Sequence, residues 1–148
     1  MLRQFKNILT PVDFSDYSIE AAARAYELVK NGGARLHMLH VVVPHHSLFP
    51  AEGARELARE AGLVEQAEQE MTRLKAERME NSPSVTTLAL VGPAAVKIRE
   101  YAAQQNIDLI LISTHGRTAL EHMLIGSVTE KLVQNAPCSV LVLRNPRR

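Results

Sequence analysis

A glycine loop, a second glycine followed by serine, and one early acid are the residues with chemistry to offer. Ser113-Thr114-His115-Gly116-Arg117-Thr118 is small, polar and basic, and nine residues after Gly116 comes Gly126-Ser127. Glycine lets backbone approach a ligand closely, and the amides of such a loop favour an anion. Ser127 and Glu130 have the S-x-x-E spacing of a capping box, which predicts a helix from Val128 to about Asn135. Its free N–H groups point back toward the loop, where orphan amides and the helix dipole hold negative charge. Arg117 adds a flexible positive charge. Taken alone, Gly116 serves equally for a tight turn and Gly126 for helix entry. Asp13 offers a carboxylate acceptor, or a local cap for the helix after it.

These groups need a scaffold, and the composition describes one. A chain of 148 residues buries a substantial core without disulfides or metals, as one domain spanning 1–148. Its 46% hydrophobic and 22% charged residues are globular in character. A net charge of +1, from 17 basic and 16 acidic residues, supplies no field that would gather nucleic acid or an anionic membrane. Arg144, Arg147 and Arg148 read as a solvated tail. Cys138 is the only cysteine, so no intramolecular disulfide forms, which fits a reducing compartment. No run approaches the roughly 20 apolar residues of a membrane span, and residues 1–6 lack the apolar core of a signal peptide. The expected location is the cytoplasm.

The elements follow in order. Asn7 to Asp13 is a first strand ending at Pro11, which cannot donate to a ladder. Ser15 is an N-cap, and Ile19, Ala22, Ala23 and Tyr26 recur at helical spacing until Asn31-Gly32-Gly33. Leu36 to Val43 is a second strand, in which His37 and His40 are expected to be hydrogen-bonded structural residues. The loop pair His45-His46 is a weak metal signal. From about Ala54 to Glu80 a long amphipathic helix carries Leu57, Ala61, Val64, Met71 and Leu74 as one stripe against the sheet. Val85 to Val91 is a third strand. Gly92-Pro93 puts proline at the first position of a helix from Ala94 to about Gln105. Asp108 opens the fourth strand, Leu109 to Ile112, whose unbroken apolar run reads as buried on both faces. Cys138 to Leu143 is the fifth, with Cys138 packing as a small apolar residue.

Strands alternating with helices five times call for an α/β fold: an open five-stranded parallel sheet, order 3-2-1-4-5, with helices on both faces in a Rossmann-like arrangement. The winding reverses between strands one and four, and open sheets of this kind bind ligands beyond their C-terminal strand ends at such a point. Pro11, Val12 and Asp13, Val41 and Val42, and Ser113 to Gly116 are expected there. The loop amides suit phosphates, Asp13 suits ribose hydroxyls or an adenine amino group, and backbone around Val12 and Val41 can sandwich a base.

Pro11-Val12-Asp13-Phe14-Ser15, Leu39-His40-Val41, Ser113 to Thr118, Gly126-Ser127-Val128 and Ala136-Pro137-Cys138 through Val142 resemble the universal stress protein family across essentially the whole chain. Its ATP-binding branch has a glycine, two residues, a glycine, nine residues, then Gly-Ser or Gly-Thr. Gly116, the spacing of nine and Gly126-Ser127 match; Ser113 stands in place of the first glycine, putting a side chain where backbone approaches ribose or phosphate. The resemblance implies an ATP-binding stress-response or signalling protein, using Mg2+ with the nucleotide, whose nucleotide state modulates a homodimer or its protein partner. The site it implies comprises Pro11, Val12, Asp13, Val41, Ser113, Gly116, Arg117, Gly126, Ser127 and Val128. It also implies pairing of two copies through Val140 to Leu143, which would cover an apolar edge strand.

Competing readings differ in chemistry. A dedicated ATP-consuming enzyme is disfavoured: no G-x-x-x-x-G-K-[ST] occurs, nor the Ser-Gly-Gly loop of related pyrophosphatases, and no base, nucleophile and orienting group stand in pattern. Slow ATP hydrolysis or autophosphorylation at Ser113 or Ser127 is left open. So are AMP or cyclic AMP as the ligand, and a partner-binding protein with an empty cleft.

Overall fold

A computed structural model describes residues 4–44, 53–116 and 124–144. In chain order the elements are β1 (Asn7–Pro11), α1 (Asp16–Val29), β2 (Arg35–Val42), α2 (Gly53–Arg78), β3 (Val85–Val91), α3 (Ala94–Gln104), β4 (Leu109–Ser113), α4 (Ser127–Asn135) and β5 (Ser139–Leu143). The five strands form one sheet in the order β3-β2-β1-β4-β5, and every neighbouring pair is parallel. The order expected from the alternation of strands and helices is the one observed.

Successive side chains of a strand point to opposite faces, so each inner strand serves two cores. Ile8, Val12, Leu36, Met38 and Leu111 pack with Ala22, Ala25, Val29, Met71 and Leu74 of α1 and α2. Leu9, Leu39, Ile110 and Ile112 pack with Ile98, Tyr101, Ala102 and Leu132 of α3 and α4. All five residues of β4 are buried, the pattern its apolar run predicts. Each fully buried large side chain contributes about 1.5–3 kcal/mol of burial energy, so the double-sided strands are the rigid part of the molecule.

Asp108 fixes the sheet at the end away from the strands' C-termini. Its carboxylate accepts from the amides of Lys6 at 2.8 Å and Asn7 at 3.2 Å, tying the start of β1 to β4. Ser15 caps α1 as expected, its Oγ accepting from the Ser18 amide at 3.2 Å. After α1, Gly33 takes φ 72°, a conformation open to glycine at little cost.

Three local expectations are corrected. Pro93 is the N-cap of α3, with extended angles, one place before the first helical residue. The apolar stripe of α2 packs only in its later part: Ala67, Met71 and Leu74 are buried, whereas Leu57 is 68% exposed and Ala61 is also exposed. The helix is 26 residues long, about 39 Å at 1.5 Å per residue, against seven residues in the strand β3 it packs on, so its first turns run past the sheet. Ser127 is not a cap but the first residue of α4, whose N-cap is Gly126.

His37 and His40 are both hydrogen-bonded, as expected of strand histidines. His37 Nδ1 lies 2.8 Å from the Tyr101 hydroxyl with the rings edge to face. Burial, and secondarily the Arg35 charge, lower the His37 pKa from 6.5. Between that lowered value and 6.5 the unfolded chain binds more protons than the folded one, so stability rises with pH across this window and is lost as pH falls through it. Thermal melts from pH 7 to pH 5 should therefore show a fall in Tm that is shallower in His37→Gln; an identical slope in the two proteins would contradict the assignment.

Candidate functional site

The C-terminal ends of β1 and β4 diverge where the winding reverses, and a cleft opens there with an empty volume of about 800 Å3 counted out to its mouth. Pro11, Val12, Asp13, Val41, Ser113, Gly116, Gly126, Ser127 and Val128 all line it. Arg117 and the His45-His46 pair lie outside the described residues. Ser18, Leu39, His40, Ala94, Ile98, Ile112, His115 and Thr129 complete the wall. Val41, Ile98 and Ile112 are apolar and stand on one side, while the loop after β4 and the start of α4 supply polar backbone.

Asp13 is held before any ligand arrives. Its Oδ1 accepts from the Ser15 amide at 3.0 Å and from the Ser15 hydroxyl, and its own amide donates to Ser18 Oγ at 3.1 Å. Oδ2 faces Gly116, where a Cβ placed on Gly116 would collide with it. The capping reading of Asp13 thus describes one oxygen, and the close approach to the glycine loop describes the other.

The N-terminus of α4 is organised by glycine and not by serine. Gly126 takes the N-cap position with extended angles, so Ser127 becomes the first helical residue and the expected capping box does not form. Gly126 can come this close because it lacks a side chain. Its amide donates to the Thr114 carbonyl at 2.6 Å, and an added Cβ would sit 3.3 Å from that same oxygen. The first intrahelical bond runs from Glu130 N–H to the Gly126 carbonyl, which leaves the amides of Ser127, Val128 and Thr129 ahead of it. Thr129 Oγ1 donates to the Ser113 carbonyl at 2.9 Å and locks the helix start to the end of β4.

Ser113 uses its hydroxyl within the loop. The residue is 4% exposed, and its Oγ donates to the His115 carbonyl at 2.7 Å, closing the loop on itself. Ser113→Ala should cost about 1 kcal/mol, the worth of one such bond, and lower Tm by about 2–4 °C. Scanning calorimetry checks this, and an unchanged Tm would contradict it.

Sequence reasoning missed the place of His40 in this wall. The hydrogen bond of His40 Nδ1 to the Val12 carbonyl at 2.7 Å is what a structural histidine makes, but it is made at the cleft. The signal was its position, directly before Val41 at the end of β2. Ser18 and Thr129 were hidden for another reason: they reach the cleft from the first turns of α1 and α4. Among the described residues no cluster of three or more His, Cys, Asp or Glu has the form of a metal site. Asp13 is the one carboxylate in the described cleft wall that could ligate a cation arriving with a phosphate.

Known proteins share this fold. The model of the universal stress protein family matches residues 4–144. Universal stress protein MJ0531 of Methanocaldococcus jannaschii is 37% identical over 145 residues, covering 97% of this chain and 85% of that one. Among solved structures, universal stress protein UspA from Lactobacillus plantarum superposes with a TM-score of 0.81 at 30% identity, over 96% of this chain and 99% of that one. Hypothetical protein MJ0577 gives 0.86 at 26% identity, over 99% and 100%. A match from residue 4 to residue 144 takes in every strand of the sheet and both halves of the glycine loop, and on that ground the chain belongs to the universal stress protein family.

Proposed function

We propose that the cleft binds ATP, with Mg2+ on its phosphates, and that the bound nucleotide sets the shape or partner of a homodimer in a cytoplasmic stress response. The observation that carries this reading is the joining of three amides at the start of α4 to a glycine loop at the sheet's switch point. Gly116 and Gly126 are both packed against other parts of the cleft wall, where a Cβ would meet Asp13 Oδ2 and the Thr114 carbonyl respectively. The phosphates lie against Ser127, Val128 and the 113–116 loop, the ribose against Asp13, and the base between Val12, Val41 and Ile98. Mg2+ would neutralise phosphate charge, with Asp13 the nearest protein ligand. No residue is assigned a catalytic role.

ATP, AMP and cyclic AMP separate the parts of this site. AMP and cyclic AMP keep the base and ribose contacts but make less use of the α4 terminus. Competition for a fluorescent ATP analogue should rank ATP ahead of both by about tenfold or more, one charge-assisted contact's worth. Equal affinities would contradict the placement of the phosphates.

The dimer is proposed at β5. This strand is an edge of the sheet, and Leu141 on it is 43% exposed. An open apolar edge invites a second strand, and a two-fold axis lets Val140 to Leu143 meet their own copy. Light scattering should find wild type at twice the chain mass and Leu141→Lys as a folded monomer. A Leu141→Lys protein that remains dimeric would contradict this interface.

A further inference from the structure

Beyond the end of β1, a histidine occupies a backbone acceptor that the sheet would otherwise use. The β1–β2 register ends at Pro11↔Leu39, and among the described residues the last backbone bond joining these strands runs from Val12 N–H to the Leu39 carbonyl at 2.8 Å. Even-numbered residues of β2 face β3, as the bonds Leu36 N–H to Ser84 O and Gly92 N–H to Val42 O show. Val41 therefore turns its N–H and C=O toward the β1 side. The next ladder bond would join Val41 N–H to the Val12 carbonyl. That carbonyl instead receives His40 Nδ1 at 2.7 Å. A carbonyl only accepts, so Nδ1 carries the proton.

The ring has a second contact. Phe14 packs on it with centroids 4.7 Å apart and planes at 34°. Phe14 itself holds φ 63°, a left-handed conformation unfavourable for a phenylalanine, and packs against the α1–α2 core. Beyond Val12 the chain turns away, since the Asp13 amide bonds to Ser18 Oγ and not to β2.

We propose that His40 is a positioning residue: by taking the Val12 carbonyl it keeps the Val41 peptide edge open to the cleft, where that edge reads the base of a purine nucleotide. This rests on the nucleotide reading of the cleft and adds its specificity. Adenine presents an acceptor at N1 beside a donor at N6, the complement of a peptide N–H and C=O. Guanine presents the reverse, a donor at N1 beside an acceptor at O6. With ribose at Asp13 and phosphates at α4, the base cannot turn over to compensate.

Two variants separate the hydrogen bond from the ring. His40→Phe keeps an aromatic face for Phe14 and removes the donor. His40→Asn places an amide nitrogen near the position of Nδ1. Amide hydrogen exchange at Val41 is followed by NMR, and ATP, GTP and inorganic triphosphate are titrated with Mg2+. In wild type the Val41 amide is expected to exchange freely and to slow when ATP is added. His40→Phe should slow it without ligand and cut the preference for ATP over GTP by about tenfold, one hydrogen bond's worth, with triphosphate affinity unchanged. His40→Asn should restore most of that preference. An unchanged Val41 exchange rate and ATP:GTP ratio in His40→Phe would overturn the proposal, as would equal losses of ATP, GTP and triphosphate, which mark a purely structural role. Wild type that binds none of the three overturns the nucleotide reading and the base-reading role with it. That outcome is told apart from failure of the backbone device alone, because Val41 exchange in His40→Phe is read without ligand.

Discussion

Gly126→Val is expected to weaken ATP binding about 100-fold and to lower stability by about 1–3 kcal/mol, the range for overpacking a fitted contact. The first atom of the new side chain would lie 3.3 Å from the Thr114 carbonyl, closer than ordinary van der Waals contact. The two methyl groups of valine extend the clash. Relief requires α4 to back away from the loop, which stretches the Gly126 N–H to Thr114 O bond of 2.6 Å and the Thr129 to Ser113 bond of 2.9 Å. The amides of Ser127 and Val128 then no longer converge with the loop. These two bonds make some loss of stability unavoidable. Calorimetric titration and thermal melting check both halves, and retained affinity in a folded Gly126→Val protein would contradict the placement of the anion.

Gly116→Ala is expected to cost about 2 kcal/mol of stability, by a different route. Its Cβ would strike Asp13 Oδ2. A carboxylate tip can usually swing aside, but Asp13 Oδ1 is held by both the amide and the hydroxyl of Ser15, the N-cap of α1. Moving the carboxylate loosens that cap, and moving the loop spoils the site. The collision is pairwise, so it should vanish when Asp13 is shortened. In a double-mutant cycle on Tm, Gly116→Ala in an Asp13→Ala background should be close to neutral, with a coupling of about 1–2 kcal/mol. Additive effects would show that Gly116 is needed for something other than room beside Asp13.

The parts of this molecule that were legible in its sequence are those set by repetition. Alternating strands and helices fix a parallel sheet, the right-handed crossover limits its order, and the apolar run of β4 marks the strand buried on both faces. The switch point, and with it the gathering of Asp13, Val41, Ser113, Gly116 and Gly126, follows from that order. What was not legible depends on distances between elements far apart in sequence. Ser127 and Glu130 have capping-box spacing, yet the N-cap is Gly126, whose amide bonds to the Thr114 carbonyl of a loop far from it in sequence and whose Cβ would be tightly packed there. The stripe on α2 is continuous in sequence, but the sheet beneath it is not long enough to meet Leu57. His40 reads as an ordinary strand histidine until the neighbouring strand is seen to end opposite it.

Among the described residues no helix is long and apolar enough to cross a membrane. The central question is whether the cleft between β1 and β4 takes a nucleotide. The most direct measurement is calorimetric titration of the purified chain with ATP in the presence of Mg2+, with the Gly126→Val protein as control. Saturable binding of one ATP per chain is expected in wild type, with loss of that signal in the variant. A flat titration of the folded wild-type chain, with no ATP among the small molecules released when it is denatured, would contradict it.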